Sequence, residues 1–393
     1  MTECDASSQI SEQPCELVQD RLRLSLGLPA AVDKERRFPL TPECVAILVN
    51  NGLLVHIEEG ASAPIHYSDQ AYINAGAEVL TRNEVLRSDI VLSLSALSST
   101  DLCKVRKGAM LFTLMQSVLD NVGLIRGLLE RAIVCVALDR VRDEDGKTPF
   151  ADILQEIDGR AAVTLAAAMQ ADPDHGKGIL MGGVAGIVPC EVTIFGSGIA
   201  ACAAAKSAAG LGATVRLFDN DIYSLRKAVR YLGDGVISSA LHPHVLEGAL
   251  RSADVVVATP MKSVPEIDKE MIDYLKKRVL LFDLNDVVGR VFPSINGVNL
   301  GASDGQAGGR DRYYYNVGAC VPRTAAMAIG NAFVTLIDQL LGLGDAVVVR
   351  NTLKFLPGLQ PAVVTFMGKP IDRAVAAVVG QRSVDLSLFL SLS

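Results

Sequence analysis

The sequence predicts an α/β protein assembled from two parallel-sheet units. Three observations carry that prediction. Short apolar runs alternate with helix-length intervals along most of the chain, the rhythm of strands joined by crossover helices. A Gly-rich stretch without a period of its own, residues 175–189, divides the alternation into two series. The chain's 393 residues, half of them apolar, exceed what one compact core usually organises.

The elements follow in order. Residues 1–21 are polar and acidic, lack the basic start and apolar core of an export signal, and read as a flexible tail. Strands are expected at 22–28, 53–57, 90–94, 109–113 and 133–137, with helices at 42–50, opening at Thr41, and at 118–130. The first unit then ends near Phe150. A helix over 153–171 leads into the Gly-rich connector, and a second series of strands follows at 191–195, 214–218, 236–238, 255–258 and 279–283. Residues 297–312, rich in Gly, Asn, Asp and Ser, read as a surface loop. A long apolar-faced helix over 323–341 crosses back toward the first unit.

Composition narrows the function classes. A net charge of −7 provides no basic field for nucleic acid, so a small-molecule partner fits better. Mean hydropathy is positive, but the apolar runs stop short of a membrane span, and a dense core explains them without a membrane. The eight cysteines are scattered singly, which fits reduced thiols in a cytoplasm. Among five histidines only His242 and His244 form a close pair, with no third ligand beside them, so no metal is expected.

The strongest motif is Gly196-Ser197-Gly198-Ile199-Ala200-Ala201, which follows an expected strand and opens an expected helix. There, backbone N–H groups and the positive end of the helix face a pyrophosphate. Gly196 permits the turn, Gly198 lets phosphate approach, and Ala201 is small enough for the third position. Asp219, at the end of the next strand, is placed to accept hydrogen bonds from ribose hydroxyls, which favours NAD over NADP; Arg226 nearby softens that preference. The alternative is a tight turn that binds nothing.

At this point the chain resembles the alanine dehydrogenase and nicotinamide nucleotide transhydrogenase alpha-subunit family. The likeness runs from about Leu22 to the C-terminus and rests on Arg37-Phe38-Pro39-Leu40-Thr41-Pro42, on Gly182-Gly183-Val184-Ala185-Gly186-Ile187-Val188-Pro189, and on Val321-Pro322-Arg323-Thr324. It implies two Rossmann-like, doubly wound domains with a substrate cleft between them. The substrate domain would be discontinuous, 22–150 with 316–393, and the NAD-binding domain would span 151–315. It also implies oxidation of L-alanine, or a related amino acid, by NAD to an oxo acid and ammonia, in a homo-oligomer, possibly a hexamer.

The same resemblance locates departures. Arg37 keeps the arginine that grips substrate carboxylate in relatives, a bidentate and permanently charged clamp. Pairing with Glu35 is the competing role for that side chain. Where relatives read L-K-V-K-E-P, with a substrate-contacting lysine, this chain has Leu92-Ser93-Leu94-Ser95-Ala96-Leu97. Where relatives place a proton-handling histidine, Gln116 stands, and an amide exchanges no proton near neutral pH. Asp286 matches the family's aspartate near the nicotinamide only with one residue deleted, and S-E-x-A-G has become Gln155-Glu156-Ile157-Asp158-Gly159. Asn316 keeps the asparagine that approaches nicotinamide. His66, beside Tyr67 on a loop, is a substitute acid/base or a plain surface histidine.

Two functions from different classes follow. One is an NAD(H)-dependent oxidoreductase acting on an amino or oxo acid held by Arg37. The other is a catalytically degraded paralogue that binds NAD and serves as a regulatory or structural subunit. A fold relic that binds nothing is the third reading. A transhydrogenase would require a membrane partner and a second nucleotide site.

Overall fold

The computed structural model describes residues 24–32, 35–119, 121–174, 176–302, 309–341 and 349–391. The expected tail at 1–21 lies outside them. Two mixed α/β layers organise the chain, each a sheet with helices on both faces. The first sheet uses β1 (Ser25–Leu28), β2 (Leu54–Glu58), β3 (Glu78–Leu80), β4 (Ile90–Leu92), β5 (Met110–Thr113) and β6 (Val134–Ala137), all parallel. The second uses β7 (Glu191–Phe195), β8 (Thr214–Phe218), β9 (Val236–Ser239), β10 (Val255–Ala258), β11 (Leu280–Asp283), β12 (Asn296–Asn299) and β13 (Arg312–Tyr315), also parallel throughout. Near the C-terminus β14 (Val363–Phe366) and β15 (Lys369–Pro370) return to the first sheet, with β14 antiparallel to β6.

Strand order explains where a ligand can sit. The first sheet runs β15-β14-β6-β5-β4-β1-β2-β3 and the second β12-β13-β11-β10-β7-β8-β9. In each, the winding reverses beside the first strand, between β1 and β4 and between β7 and β10, the doubly wound arrangement whose binding crevice opens at the carboxyl ends of the strands. The central strands are fully buried and unbroken in apolar character, as in Val-Val-Val-Ala of β10 and Val-Cys-Val-Ala of β6. Such runs suit sheets covered on both faces.

Close helix contacts rest on small residues. The helix Ile199–Gly210 is mostly alanine and packs against the long helix Pro149–Ala171. At Gly159 a Cβ would stand 2.2 Å from the Ala200 carbonyl, so the two backbones meet there directly.

Three expectations are corrected. The stretch 297–312 is not a plain surface loop, because β12 and β13 occupy its ends; Tyr313 lies against Gly297, where a Cβ would meet the phenol oxygen at 2.6 Å. The glycine that disguises the strand in the sequence is what admits that ring. Residues 303–308 of the stretch lie outside the described residues. The helix expected at 118–130 divides into Met115–Leu119 and Val122–Glu130, since Asn121 caps the second by accepting the Leu124 N–H at 2.9 Å. The helix Pro322–Leu341 does reach spanning length, with a mean hydropathy of 1.3. Its stripe of Ala326, Ile329, Phe333 and Ile337 is buried in the core below the first sheet, so its apolar character is accounted for by packing.

Candidate functional site

A cleft of about 1150 Å³ opens between the two sheets. Its walls come from the segments that leave the carboxyl ends of strands: Val32, Glu35 and Arg37 after β1, Ser95 after β4, Gln116 after β5, Asp139 and Arg140 after β6, and Leu284 to Val288 after β11. Asp158 on the helix Pro149–Ala171 and Asn299, Tyr313, Tyr315 and Asn316 from the β12–β13 edge close the remaining side. Arg37, Ser95, Gln116, Asp286 and Asn316, distant in sequence, therefore share one cleft.

Arg37 reaches the cleft already paired. Its Nε and Nη2 donate to the two carboxylate oxygens of Glu35 at 2.9 and 2.7 Å, and the Glu35 carboxylate also accepts the Arg37 backbone N–H at 2.8 Å. The competing role noted in the sequence is thus realised. Nη1 and the second N–H of Nη2 lie outside this fork, so a substrate carboxylate added to the structure as it stands meets the remaining Nη1–Nη2 edge.

Ser95 lines the second wall and Ser93 is buried behind it; both are held by hydrogen bonds. Ser95 Oγ accepts the Val32 N–H at 3.2 Å, and Ser93 Oγ donates to the Ser95 carbonyl at 2.9 Å. The Ser95 hydroxyl thereby fastens the segment that leads to Arg37. Met115 donates its backbone N–H to Asp139 Oδ1 at 2.8 Å, which fixes the turn bearing Gln116. His66 is exposed, takes a left-handed conformation (φ 58°) and ends a short 3-10 turn; it does not line the cleft. Its neighbour Tyr67 lies under the Arg323 guanidinium, 4.4 Å from the ring centre.

A residue that sequence reading noted only as part of an altered motif proves central. Asp158 Oδ1 accepts the Gly318 N–H at 3.0 Å, and a Cβ on Gly318 would lie 2.5 Å from that oxygen, so any larger residue there displaces the carboxylate. Burial pushes the Asp158 carboxyl up to about 6, and the charges of Glu35 and Asp286 push the same way against the pull of Arg37 and the Gly318 N–H. Burial also raises Asp139, with Asp286 adding to the effect. The signal in the sequence was an aspartate on the inner side of a helix, directly before the glycine that makes the backbone contact.

The glycine-rich turn lies at the end of β7. Gly196 has φ 107°, in the region that favours glycine, and a Cβ there would meet Thr259 Oγ1 at 2.2 Å. Gly198 is the N-cap of Ile199–Gly210 and uses no side chain for capping; a Cβ on it would find only the Pro260 carbonyl, at 3.7 Å. The end of the helix is thus open to a ligand. Ala201 is fully buried against the sheet, as the third position of the motif requires. Ser197 donates its hydroxyl to Asp219 Oδ2 at 2.6 Å, while Asp219 Oδ1 accepts the Asp221 N–H at 2.8 Å. Arg226 lies over Tyr223 rather than on Asp219. Asn316, itself left-handed at φ 56°, donates to Asn299 Oδ1 at 3.1 Å on the cleft edge nearest Asp283 and Asp286. Among the described residues, no group of three or more His, Cys, Asp or Glu is arranged to hold a metal.

Comparison with known proteins gives a consistent result. The family models described as "Alanine dehydrogenase/PNT, N-terminal domain" and "Alanine dehydrogenase/PNT, C-terminal domain" match residues 28–156 and 162–370. An alanine dehydrogenase of Bacillus subtilis is 27% identical over 86% of this chain and 91% of its own length, and one of Mycolicibacterium smegmatis is 27% identical over 93% and 100%. A solved L-alanine dehydrogenase superposes with a TM-score of 0.80 at 24% identity, covering 91% of this chain and 99% of that one. The Sinorhizobium meliloti transhydrogenase gives 0.70 at 20% identity, with coverage of 90% and 100%. These two structures share the fold of the chain, two Rossmann-like units wound about their first strands. The two family models together match most of the sequence, and the chain belongs to the alanine dehydrogenase/PNT family.

Proposed function

We propose that the chain is an NAD(H)-dependent oxidoreductase acting on a small amino acid and its 2-oxo acid, as in the reaction of L-alanine to pyruvate and ammonia. One observation carries this reading: Arg37, Gln116 and Ser95 line one open cleft together with Asp286 and Asn316, rather than being sealed behind apolar side chains. The dinucleotide side is supported by the open helix end at Gly198, the strained turn at Gly196 and the carboxylate of Asp219. When bound, the nicotinamide supplies hydride transfer to or from the substrate carbon. The protein's own residues do the rest: Arg37 orients the carboxylate, Asp219 holds the adenosine ribose, and the cleft walls limit access of water.

The return of β14 and β15 to the first sheet supports the assignment of 22–150 with 316–393 to the substrate side and of 151–315 to the nucleotide side. We assign the protein to the cytoplasm and to a homo-oligomer, a hexamer as is usual for the alanine dehydrogenases it resembles, on the strength of its scattered thiols and its family.

The pairing of Arg37 with Glu35, and the presence of Gln116 where relatives carry histidine, favour a second reading: an NAD-binding subunit without turnover. Purified protein assayed with NAD(H) against small L-amino acids, and against 2-oxo acids with ammonium, separates the two. Turnover that falls roughly 10- to 100-fold in Arg37→Ala, the loss expected for a charged hydrogen bond of about 1.5–3 kcal/mol, supports the enzyme. NADH binding by calorimetry with no turnover on the whole panel overturns it in favour of the subunit.

A further inference from the structure

The cleft has lost an imidazole but has gained a carboxyl group. By the resemblance noted above, Asp158 of Gln155-Glu156-Ile157-Asp158-Gly159 falls at the alanine of S-E-x-A-G, and it lines the cleft. Three features set its surroundings. Oδ1 is held by the Gly318 N–H, which fixes the carboxyl plane on the cleft wall. Gly159, the next residue, locks the helix against Ala200 at backbone contact, so the carboxyl group cannot drift with its helix. The charges that face it come from two other elements, Glu35 and Arg37 after β1 and Asp286 after β11. Because Glu35 already neutralises Arg37, the balance of charge around Asp158 is negative and calls for a cation.

A zwitterionic amino acid brings both signs. Its carboxylate fits the free edge of Arg37, and its ammonium group is then left to the carboxylates of the same cleft, among which Asp158 is coupled to Arg37 by charge. We propose that Asp158 is the ammonium-binding and proton-accepting residue of this cleft, in place of the imidazole that relatives carry at the position of Gln116. This rests on the oxidoreductase reading above and adds to it a residue and a preference for amino acids bearing a free α-ammonium group. The step is a proton transfer alone: an N–H bond of the ammonium breaks, an O–H bond forms on Asp158, and the electron pair stays on nitrogen. Nothing is oxidised or reduced in it. A group that ionises near pH 6 is fit for this work at neutral pH, because it is charged when the substrate arrives and exchanges its proton readily.

The experiment compares the wild-type protein with Asp158→Asn, Asp158→Glu and Asp158→Ala, with NADH affinity from fluorescence as a readout independent of turnover. Asp158→Asn is expected to keep NADH affinity and KM for the oxo acid, to raise KM for the amino acid, and to lower kcat for amino-acid oxidation by about 10²–10⁴-fold. The acid limb of the wild-type kcat/KM profile should be absent in the variant. Formate or acetate should restore part of the lost rate in Asp158→Ala, a rescue that a merely structural aspartate would not give, and Asp158→Glu should retain more activity than Asn. Carboxyl NMR of the aspartate-labelled protein without substrate should show one resonance titrating near pH 6 that Asp158→Asn removes. An active wild type whose Asn variant keeps its rate and pH profile overturns the role of Asp158 and leaves the oxidoreductase reading intact. A wild type that binds NADH but turns over no amino or oxo acid overturns both.

Discussion

The two sides of the cleft have been treated differently by the sequence. On the side proposed to bind nucleotide, the turn Gly196-Ser197-Gly198 leads into a helix end that no side chain caps, and Ser197 is tied to Asp219. On the side proposed to bind substrate, Ser95 and Gln116 stand where the resemblance implies lysine and histidine, Glu35 holds Arg37, and Asp158 lines the cleft from the helix Pro149–Ala171. The contrast has a physical origin. Phosphate is bound by backbone geometry, which only glycine and small residues can deliver, so the options there are few. Proton transfer needs only a titratable group in reach of the reacting atoms, and several segments of the cleft can supply one.

The same contrast sets what could be read from the sequence. The turn at Gly196 and strands β7, β8 and β10 were legible to the residue, because β10 is an unbroken buried apolar run, β7 and β8 are short β-prone runs bounded by helix-length intervals, and the turn has a local signature. β12 was not, since Gly297 and its asparagines read as loop until Tyr313 is seen lying on the glycine. β14 and β15 were also missed as strands: each is short, β15 pairs only with β14, and the other partner of β14, β6, lies more than two hundred residues earlier in the chain. The ion pair of Arg37 with Glu35 was one of two readings open at the start, and only the fold chose between them. Asp158 stood inside a motif seen as altered, but its neighbours Gly318, Arg37 and Asp286 arrive from three other parts of the chain. A functional site assembled from long-range contacts is invisible to local pattern.

The largest effect that tests the contrast belongs to the glycine turn. Gly196→Val places a branched side chain at φ 107° and drives its Cβ into Thr259 Oγ1. The turn must then change shape, and NADH binding, followed by fluorescence or calorimetry, should weaken by more than about 100-fold, with a stability loss of about 1–3 kcal/mol from the backbone conformation alone. A variant that binds NADH as well as the wild type would show that backbone geometry is not what this side of the cleft preserves.

A smaller effect is expected at the ribose end. Asp219→Asn keeps the shape but removes the charge, and Ser197 loses an ionised acceptor. NADH affinity should fall about tenfold, equivalent to about 1.4 kcal/mol, while NADPH, no longer repelled, should gain relative to NADH. The ratio of the two dissociation constants measures the preference directly. An unchanged ratio would remove Asp219 from cofactor selection.

The smallest effect sharpens the substrate side, and it concerns stability rather than rate. An ordinary aspartate ionises near 3.9, but burial and the neighbouring Glu35 and Asp286 charges lift Asp158 to about 6. Between those two values the folded protein holds a proton that the unfolded chain has released. Stability contributed by this group is therefore full below about pH 4, is lost as pH rises through 6, and is level beyond. Asn cannot ionise, so Asp158→Asn should be more stable than the wild type at pH 7.5, by roughly 1–2 kcal/mol, and the gain should vanish near pH 4. Thermal or denaturant melts at the two pH values read this out without any substrate. A variant that is less stable at pH 7.5 would mean that the ionised carboxylate is held there by Arg37 as a structural partner, and the substrate side would then resemble the nucleotide side in keeping its residues for the fold. A gain at pH 7.5 alone has the opposite meaning: the fold carries a carboxylate it would be more stable without, which is the expected mark of a residue kept for the chemistry of the cleft.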